Sequence, residues 1–493
     1  MFVMTPASLP WSRAPGAAVL LACAAQFLSA LNMGVAPLLV SPLSADLGFG
    51  AVGQSWMVSG YALAFAGFVL LGGRLTDVFG GGRMLAVGYA VAAVSALLAA
   101  CSPTGTVMIG ARIAQGIGAA LTVPAALGII ATTHQELAAR SRALAAFAGS
   151  GAVGFGLGLA FGGLAADTVG WRWLFAALGG ISALLTVLTV ALVERRKRSL
   201  HRVSIWGSVL SAAGLMLLAY AVTIGAKQGF QLSTLGAGLA GICVLAAFVM
   251  GQSRSRSPIM PIEIWSRPGF AVNVGSTTLL YGAWVSAYYF AALMLREVLG
   301  LSATTAALVM APLAIGAAIG SRTASVALPR LARPSTLILI GCMMCALSIA
   351  CLAIPALAQP WVVVVVLTLV VTGQAAAFVS LNVATLSVAG PDEAGLAGAL
   401  FNAGCQVGGG LAVSFLAAFS QVLSGGDIAG GYRVALLGAA LLALSAGLVA
   451  FLPQRRGRAK VRRQDHGFLQ GTATWGIHQS EGSPDGDRRT ERC

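Results

Sequence analysis

The sequence predicts an all-α integral membrane protein of fourteen transmembrane helices arranged 6 + 2 + 6, as two pseudo-symmetric bundles with a linking pair. Three observations carry that expectation. Of 493 residues, 58% are hydrophobic and 9% charged, with a mean hydropathy of +0.87; soluble globular domains carry about 25% charged residues. Apolar runs recur with lengths of about 20 residues, enough to cross a hydrocarbon layer roughly 30 Å thick. The Lys and Arg residues fall almost wholly in alternate loops, the pattern that orients membrane spans.

Bounded by charges and turn clusters, the first six runs are 16–39, 53–72, 84–101, 105–130, 143–165 and 173–193. The first has Arg13 and Pro15 ahead of it, like a secretory signal, but it is too long for a signal core and thirteen spans follow. The basic block "ERRKRSLHR" (194–202) then leads into runs 205–225 and 233–251. A second basic loop with prolines, "SRSRSPIMPIEIWSRP" (253–268), precedes the last six: 270–294, 302–326, 335–356, 361–387, 395–420 and 434–452. Their length and lack of strict alternation specify helices rather than a barrel. The expected division is a six-helix bundle in 1–193, basic loops and two linking helices in 194–268, a second six-helix bundle in 269–453, and a disordered tail in 454–493.

With the N-terminus, the even-to-odd loops and the tail on one side, that side holds 25 Lys and Arg, Arg322 near the end of its run being counted with the loop that follows. The opposite side holds Arg172, Lys227, Arg296 and Arg433, and Arg112 lies within a span, which accounts for all 30. The expected setting is therefore a multi-pass protein of the cell (inner or plasma) membrane with both termini cytoplasmic. The net charge of +15 is explained by orientation and by anionic inner-leaflet lipid, so no nucleic acid partner is expected. Eight cysteines are scattered, and the Cys342/Cys345 pair sits in an apolar span without further ligands, so no metal site is expected. Enzyme chemistry finds no support: phosphate loops, HExxH and GxSxG are absent.

The two sets of six share a local pattern. "AGSGAVGFGLG" from Ala148 and "AGCQVGGGLA" from Ala403 open alike at the fifth span of each set. Gly154, Gly158 and Gly162 recur every fourth residue, as do Gly404 and Gly408. Small residues at that spacing let helix backbones approach closely in lipid, in a static face or a sliding one.

"SWMVSGYALAFAGFVLLGGRLTDVFGGGR", 55–83, resembles the second span and following loop of the major facilitator superfamily, specifically its fourteen-span drug:proton antiporters. In the loop, Gly73 is expected to let the end of span two pack tightly and Gly80 to allow a sharp reversal, while Asp77 caps the next helix and attracts arginines such as Arg83. The resemblance implies that this cluster latches the cytoplasmic side. "RIAQGIGAA" on span four is similar to a second family motif, whose arginine, here Arg112, faces a central cavity and takes part in proton coupling. An intramembrane charge is independently a functional candidate, the alternative being a side chain that snorkels to the surface. Asn32 stands where relatives carry an aspartate, Leu159 where they carry a proline, and Cys405 where an arginine is common.

No span as bounded above contains Asp or Glu. Titratable candidates lie at the rims: Asp46, Asp77, His134, Glu136 and Glu297. Candidate cavity residues are Asn32, Trp56, Gln115, Tyr281, Trp284, Tyr288, Asn382, Asn402 and Gln406, with Tyr61, Tyr289 and Gln374 beside them in sequence. One arginine without an acid suits neutral or anionic amphiphiles. The expected function is a monomeric exporter of drugs, antibiotics or related metabolites by alternating access, with the proton motive force and no cofactor. The alternatives are a facilitator or importer of a small metabolite, and a non-transporting sensor or scaffold on the same fold.

Overall fold

The computed structural model describes residues 15–133, 137–193, 205–228, 231–254, 262–328, 334–357, 359–389, 394–425 and 427–451. Among them every element is helical. The α-helices are α1 (Pro15–Leu47), α2 (Ala51–Phe79), α3 (Gly81–Ala100), α4 (Gly105–Thr133), α5 (Leu137–Asp167), α6 (Trp171–Leu192), α7 (Ile205–Gln228), α8 (Leu232–Arg254), α9 (Phe270–Leu293), α10 (Ala303–Met310), α11 (Leu313–Ala327), α12 (Pro334–Leu352), α13 (Pro360–Ala389), α14 (Ala394–Ser424) and α15 (Ile428–Phe451). Counting α10 and α11 together, fourteen helices are long and apolar enough to cross a membrane. The block at 194–202, His134, Glu136 and the tail at 454–493 lie outside the described residues.

Two of the departures from the sequence reading involve proline. α1 has 33 residues, roughly 50 Å at 1.5 Å per residue, and continues through Pro37 and Pro42 to Leu47. A proline costs a helix one hydrogen bond and kinks it, and where flanking turns are packed the helix resumes. The tenth span, expected as one helix over 302–326, is two. Pro312 supplies no N–H for the Leu308 carbonyl, which takes the Ala311 amide instead (3.3 Å).

The packing repeats in chain order. In the first set α1 pairs with α5, α2 with α4, α3 with α4 and α3 with α6; in the second, α9 pairs with α14, α11 with α13, α12 with α13 and α12 with α15. These are the same four pairings of spans one to six carried over to spans nine to fourteen. The sets meet along two seams, α2 against α14 and α5 against α10 and α11. α7 packs on both α2 and α14, and α8 chiefly on α7. The Ser211 hydroxyl donates to the Gly67 carbonyl (3.0 Å), fixing α7 on α2. The linking pair thus covers one seam.

Glycine makes the closest approaches. A methyl added at Gly154 or Gly158 would run into the Phe27 or Leu31 carbonyl oxygen of α1, and one at Gly162 would lie 3.1 Å from Val35 Cα. From the other side, a Cβ at Gly34 would meet the Phe155 carbonyl at 2.5 Å. In the second set, Gly408 is pressed in the same way on the Thr278 carbonyl of α9. Gly158→Ala is therefore expected to destabilise the fold by about 1–3 kcal/mol, the usual cost of overpacking a rigid contact. Gly156→Ala, where a Cβ meets nothing within 4 Å, stays within about 0.5 kcal/mol. Denaturant titration of the two purified variants checks this, and equal losses would remove the helix-contact explanation.

Candidate functional site

Arg112 projects from α4 into the first helix set and is 2% exposed, so it does not snorkel. Its Nε donates to the Met57 carbonyl (3.0 Å), and its Nη1 to Asn32 Oδ1 (3.2 Å) and Gln115 Oε1 (2.6 Å). The guanidinium carbon lies 4.9 Å from the Tyr61 ring centroid, a cation–π geometry. The Tyr61 hydroxyl in turn shares a hydrogen bond with Ser29 (3.0 Å). Three neutral dipoles and one ring face therefore hold a full charge. Arg112 is the one charged side chain in the buried set of described residues. A void of about 30 Å³ adjoins Asn32, Gln115 and Tyr61, and Gln115 Nε2 is buried there without a protein partner. That space is large enough to admit one water.

Between the two helix sets lies a cavity of about 320 Å³. α1 contributes Gln26 and Met33, α5 Phe155, α9 Tyr281 and Trp284, α13 Gln374 and Phe378, and α14 Asn402 and Gln406. Most of its lining falls in the halves of the helices nearer the face that carries the α2–α3 loop, the basic face. A smaller void of about 20 Å³ shares four lining residues with it and is bounded by Arg112, Tyr61, Trp284, Tyr288 and Gln406. The aromatic wall is continuous: Trp284 stacks on Tyr288 at 17°, and Phe155 lies 5.6 Å and 5.3 Å from those two rings. Tyr281 is 5.2 Å from Trp284, and Tyr288 donates to the Gly34 carbonyl of α1 (2.7 Å).

The structure thus brings together Arg112, Asn32 and Gln115, and separately Tyr281, Trp284, Asn402 and Gln406, with Tyr288 between the groups. Two expected cavity residues lie elsewhere. Trp56 packs with Leu63, Ala66, Leu215 and Ala219 toward α7. Asn382 is half-buried on α13, beyond the lining that Gln374 and Phe378 supply. Phe155 and Gln26 were missed. Phe155 is the one aromatic residue in "GSGAVGFGLG", and Gln26 is one of two amides in span one, six residues before Asn32, which are the signals that point to them.

The α2–α3 loop also departs from expectation. Asp77 sits exposed in the last turn of α2, feeling the charge of Arg74, and α3 starts after Gly80 with no side-chain cap. Gly73 faces open space; the tight contact belongs to Gly72, pressed on the Ala120 carbonyl of α4. Gly80 does make the reversal, at φ 87° and ψ 146°, a conformation closed to residues with a Cβ. Arg83 is half-buried in the first turn of α3.

On the opposite face the two sets are clasped. The Asp167 carboxylate, at the end of α5, accepts from the Ala303 amide (3.0 Å) and the Thr304 amide (2.6 Å) at the start of α10. Glu297, in the π turn Met294–Val298 after α9, accepts from Ser41 of α1 (3.0 Å) and from Tyr432 of α15. Asp46 serves the first set alone, bonded to Trp171 Nε1 (2.9 Å) and ion-paired with Arg172 (3.1 Å). Among the described residues no cluster of three potential ligands could hold a metal, and Cys342 is packed against Gly447 of α15.

The family model described as Major Facilitator Superfamily matches residues 22–413. The chain is 30% identical over 407 residues to the puromycin resistance protein pur8 of Streptomyces alboniger, covering 80% of this chain and 79% of that one. It is 30% identical to the MFS-type transporter EfpA of Mycobacterium tuberculosis over 64% of its length, and spans only 59% of that relative. A crystal structure of a bacterial homologue of the human lysosomal transporter Spinster, inward-facing and unoccupied, superposes with a TM-score of 0.67 at 14% identity, covering 91% of this chain and 98% of that one.

Asp167→Ala removes the acceptor from two amides at the head of α10. A cysteine placed at Ala307, which faces Gly163 across this seam, is then expected to react with a membrane-impermeant maleimide roughly fivefold faster, the equivalent of about 1 kcal/mol for a lost cap. The comparison is the same cysteine with Asp167 intact. An unchanged rate would show that the carboxylate does not hold the seam.

Proposed function

The chain belongs to the major facilitator superfamily, and from that premise we propose that it exports amphipathic small molecules across the cell membrane by alternating access. The observation that carries this reading is the cavity between the sets, near the basic face, with clasps on the other face. By charge placement the basic face is cytoplasmic, so a molecule from the cytoplasm or inner leaflet can reach an aromatic and amide wall while the outer side is held shut. Rearranging the two seams moves the opening across the membrane. The puromycin resistance protein, whose name records resistance to an antibiotic, supports antibiotic-like cargo. We place the two bundles at 1–193 and 269–453, with the pair between them sealing a seam, and take the monomer as the working unit.

The energy source we propose is the proton gradient, acting through carboxylates at the rims. A second reading, an uncoupled facilitator of a small metabolite, is favoured by one observation: Arg112 is held by Asn32 and Gln115, neither of which titrates. The two separate in an efflux assay with preloaded cationic, neutral and anionic fluorescent dyes, with and without a protonophore. The exporter clears at least one dye against its gradient, and stops with protonophore. Arg112→Ala is expected to lose about tenfold or more in rate, as removal of a buried charged hydrogen-bonding group does. A dye that merely equilibrates, unaffected by protonophore, would assign the facilitator.

A further inference from the structure

We propose that the cavity is built for an aromatic substrate carrying an acidic group, whose anion faces Arg112 while a hydrogen-bond donor on the same molecule meets Gln406. This rests on the export reading and names the chemistry of its cargo. The first observation is a charge without a counter-charge. Every bond to Arg112 is to a neutral oxygen, and Asp46, Asp77, Asp167 and Glu297 are all exposed and committed elsewhere or distant in the fold. Nη2 makes no bond to the described residues, and Arg112 lines the smaller void. A fixed cation in a low-dielectric site attracts an anion and repels a cation far more strongly than it would in water.

The second observation is independent. Gln406 is 6% exposed, lines both voids, and its Oε1 has no partner. A buried acceptor in that state discriminates in favour of a ligand that donates to it. The third is shape. The two voids share Met33, Phe155, Trp284 and Gln406, so one ligand can lie on the Trp284 face in the larger and put its head group into the smaller. About 20 Å³ of free space there admits a group about the size of one water, such as an oxygen of a carboxylate or sulfonate, and excludes a ring.

The test uses two probes with one frame: 1-anilinonaphthalene-8-sulfonate, an anion with an N–H donor, and N-phenyl-1-naphthylamine, the same arene without the sulfonate. Both are titrated by fluorescence into the full chain in nanodiscs, with empty nanodiscs subtracted. The sulfonate is expected to bind at least about tenfold tighter than the amine. Arg112→Gln should remove that preference, lowering sulfonate affinity about tenfold and leaving the amine within about twofold. Asn32→Asp guards against a folding artefact, because it adds a partner for Arg112 rather than removing one. It sets a carboxylate on the Nη1 side of Arg112, opposing from the neighbouring void the charge that the ligand's anion would meet, and should give the same selective loss. Gln406→Leu should weaken both probes, since both donate through nitrogen. Equal affinity for the two probes in the unmodified protein, or a loss for both in Asn32→Asp, overturns the assignment. Binding is read without transport, so that failure is distinct from failure of export, which the efflux assay decides.

Discussion

A cation fixed inside an apolar bundle, with only dipoles to hold it, is the constraint around which the first helix set is organised. Transferring a charge out of water is costly, and the cost is met here by geometry rather than by a counter-ion. α4 delivers both Arg112 and Gln115, one turn apart on one face; α2 delivers the Met57 carbonyl and the Tyr61 ring; α1 delivers Asn32. None of these groups reaches the guanidinium unless α1, α2 and α4 come within hydrogen-bonding distance of one point. Glycine makes that approach possible: Gly116 on α4 lies against the Tyr61 carbonyl, and Gly72 on α2 against α4. The backbone density that looks like packing is also what solvates the charge.

The same close approach appears at the first-to-fifth and ninth-to-thirteenth pairings, which places the repeat at the level of backbone contact rather than side-chain identity. In lipid, where burying apolar surface brings little gain between helices, dispersion across glycine seams is the main cohesive contact. The symmetry is broken at two places. Arg112 has no counterpart in the second set, where α13 presents Gln374 and α14 Gln406. And α7 with α8 covers the α2–α14 seam, while the α5–α10 seam carries the Asp167 clasp instead.

Composition and charge made the fold legible, because hydropathy and loop charge are summed over many residues and survive local error. The site was legible only where chemistry is rare. An arginine in a span is conspicuous, and its partner at three residues' spacing follows from helical periodicity; the Met57 carbonyl leaves no mark in a sequence. Aromatic residues mislead because they occur on every face. Tyr61 and Trp56 are five residues apart on α2, about 140° around the helix at 100° per residue, so they cannot both face the arginine. Gly72 and Gly73 differ by one such step, and a motif does not say which of the pair touches α4. Asn382 shares a face with Gln374 but lies eight residues on, about 12 Å along the axis and past the cavity. Asp167 falls just after the run bounded at 165, and its partners are backbone amides more than a hundred residues away, which no side-chain pattern reports.

α1 and α9 tie these parts together, since each passes the cavity and then the clasp. α1 carries Gln26 and Met33 at the cavity, Asn32 at the arginine, Gly34 at the Tyr288 hydroxyl and Ser41 at Glu297. α9 carries Tyr281, Trp284 and Tyr288, then leaves the α-helical ladder in the π turn that holds Glu297. Pro37 and Pro42 interrupt the hydrogen-bond ladder of α1 along the same stretch. Both helices are thus continuous through the cavity and weakened between the cavity and the clasp. The Tyr288–Gly34 bond ties the two helices together at the aromatic wall, and beyond it lies backbone whose α-helical ladder is interrupted by proline in α1 and by the π turn after α9. The α-helical ladders of both helices are thus interrupted between the aromatic wall and the bonds that Glu297 accepts from Ser41 and Tyr432.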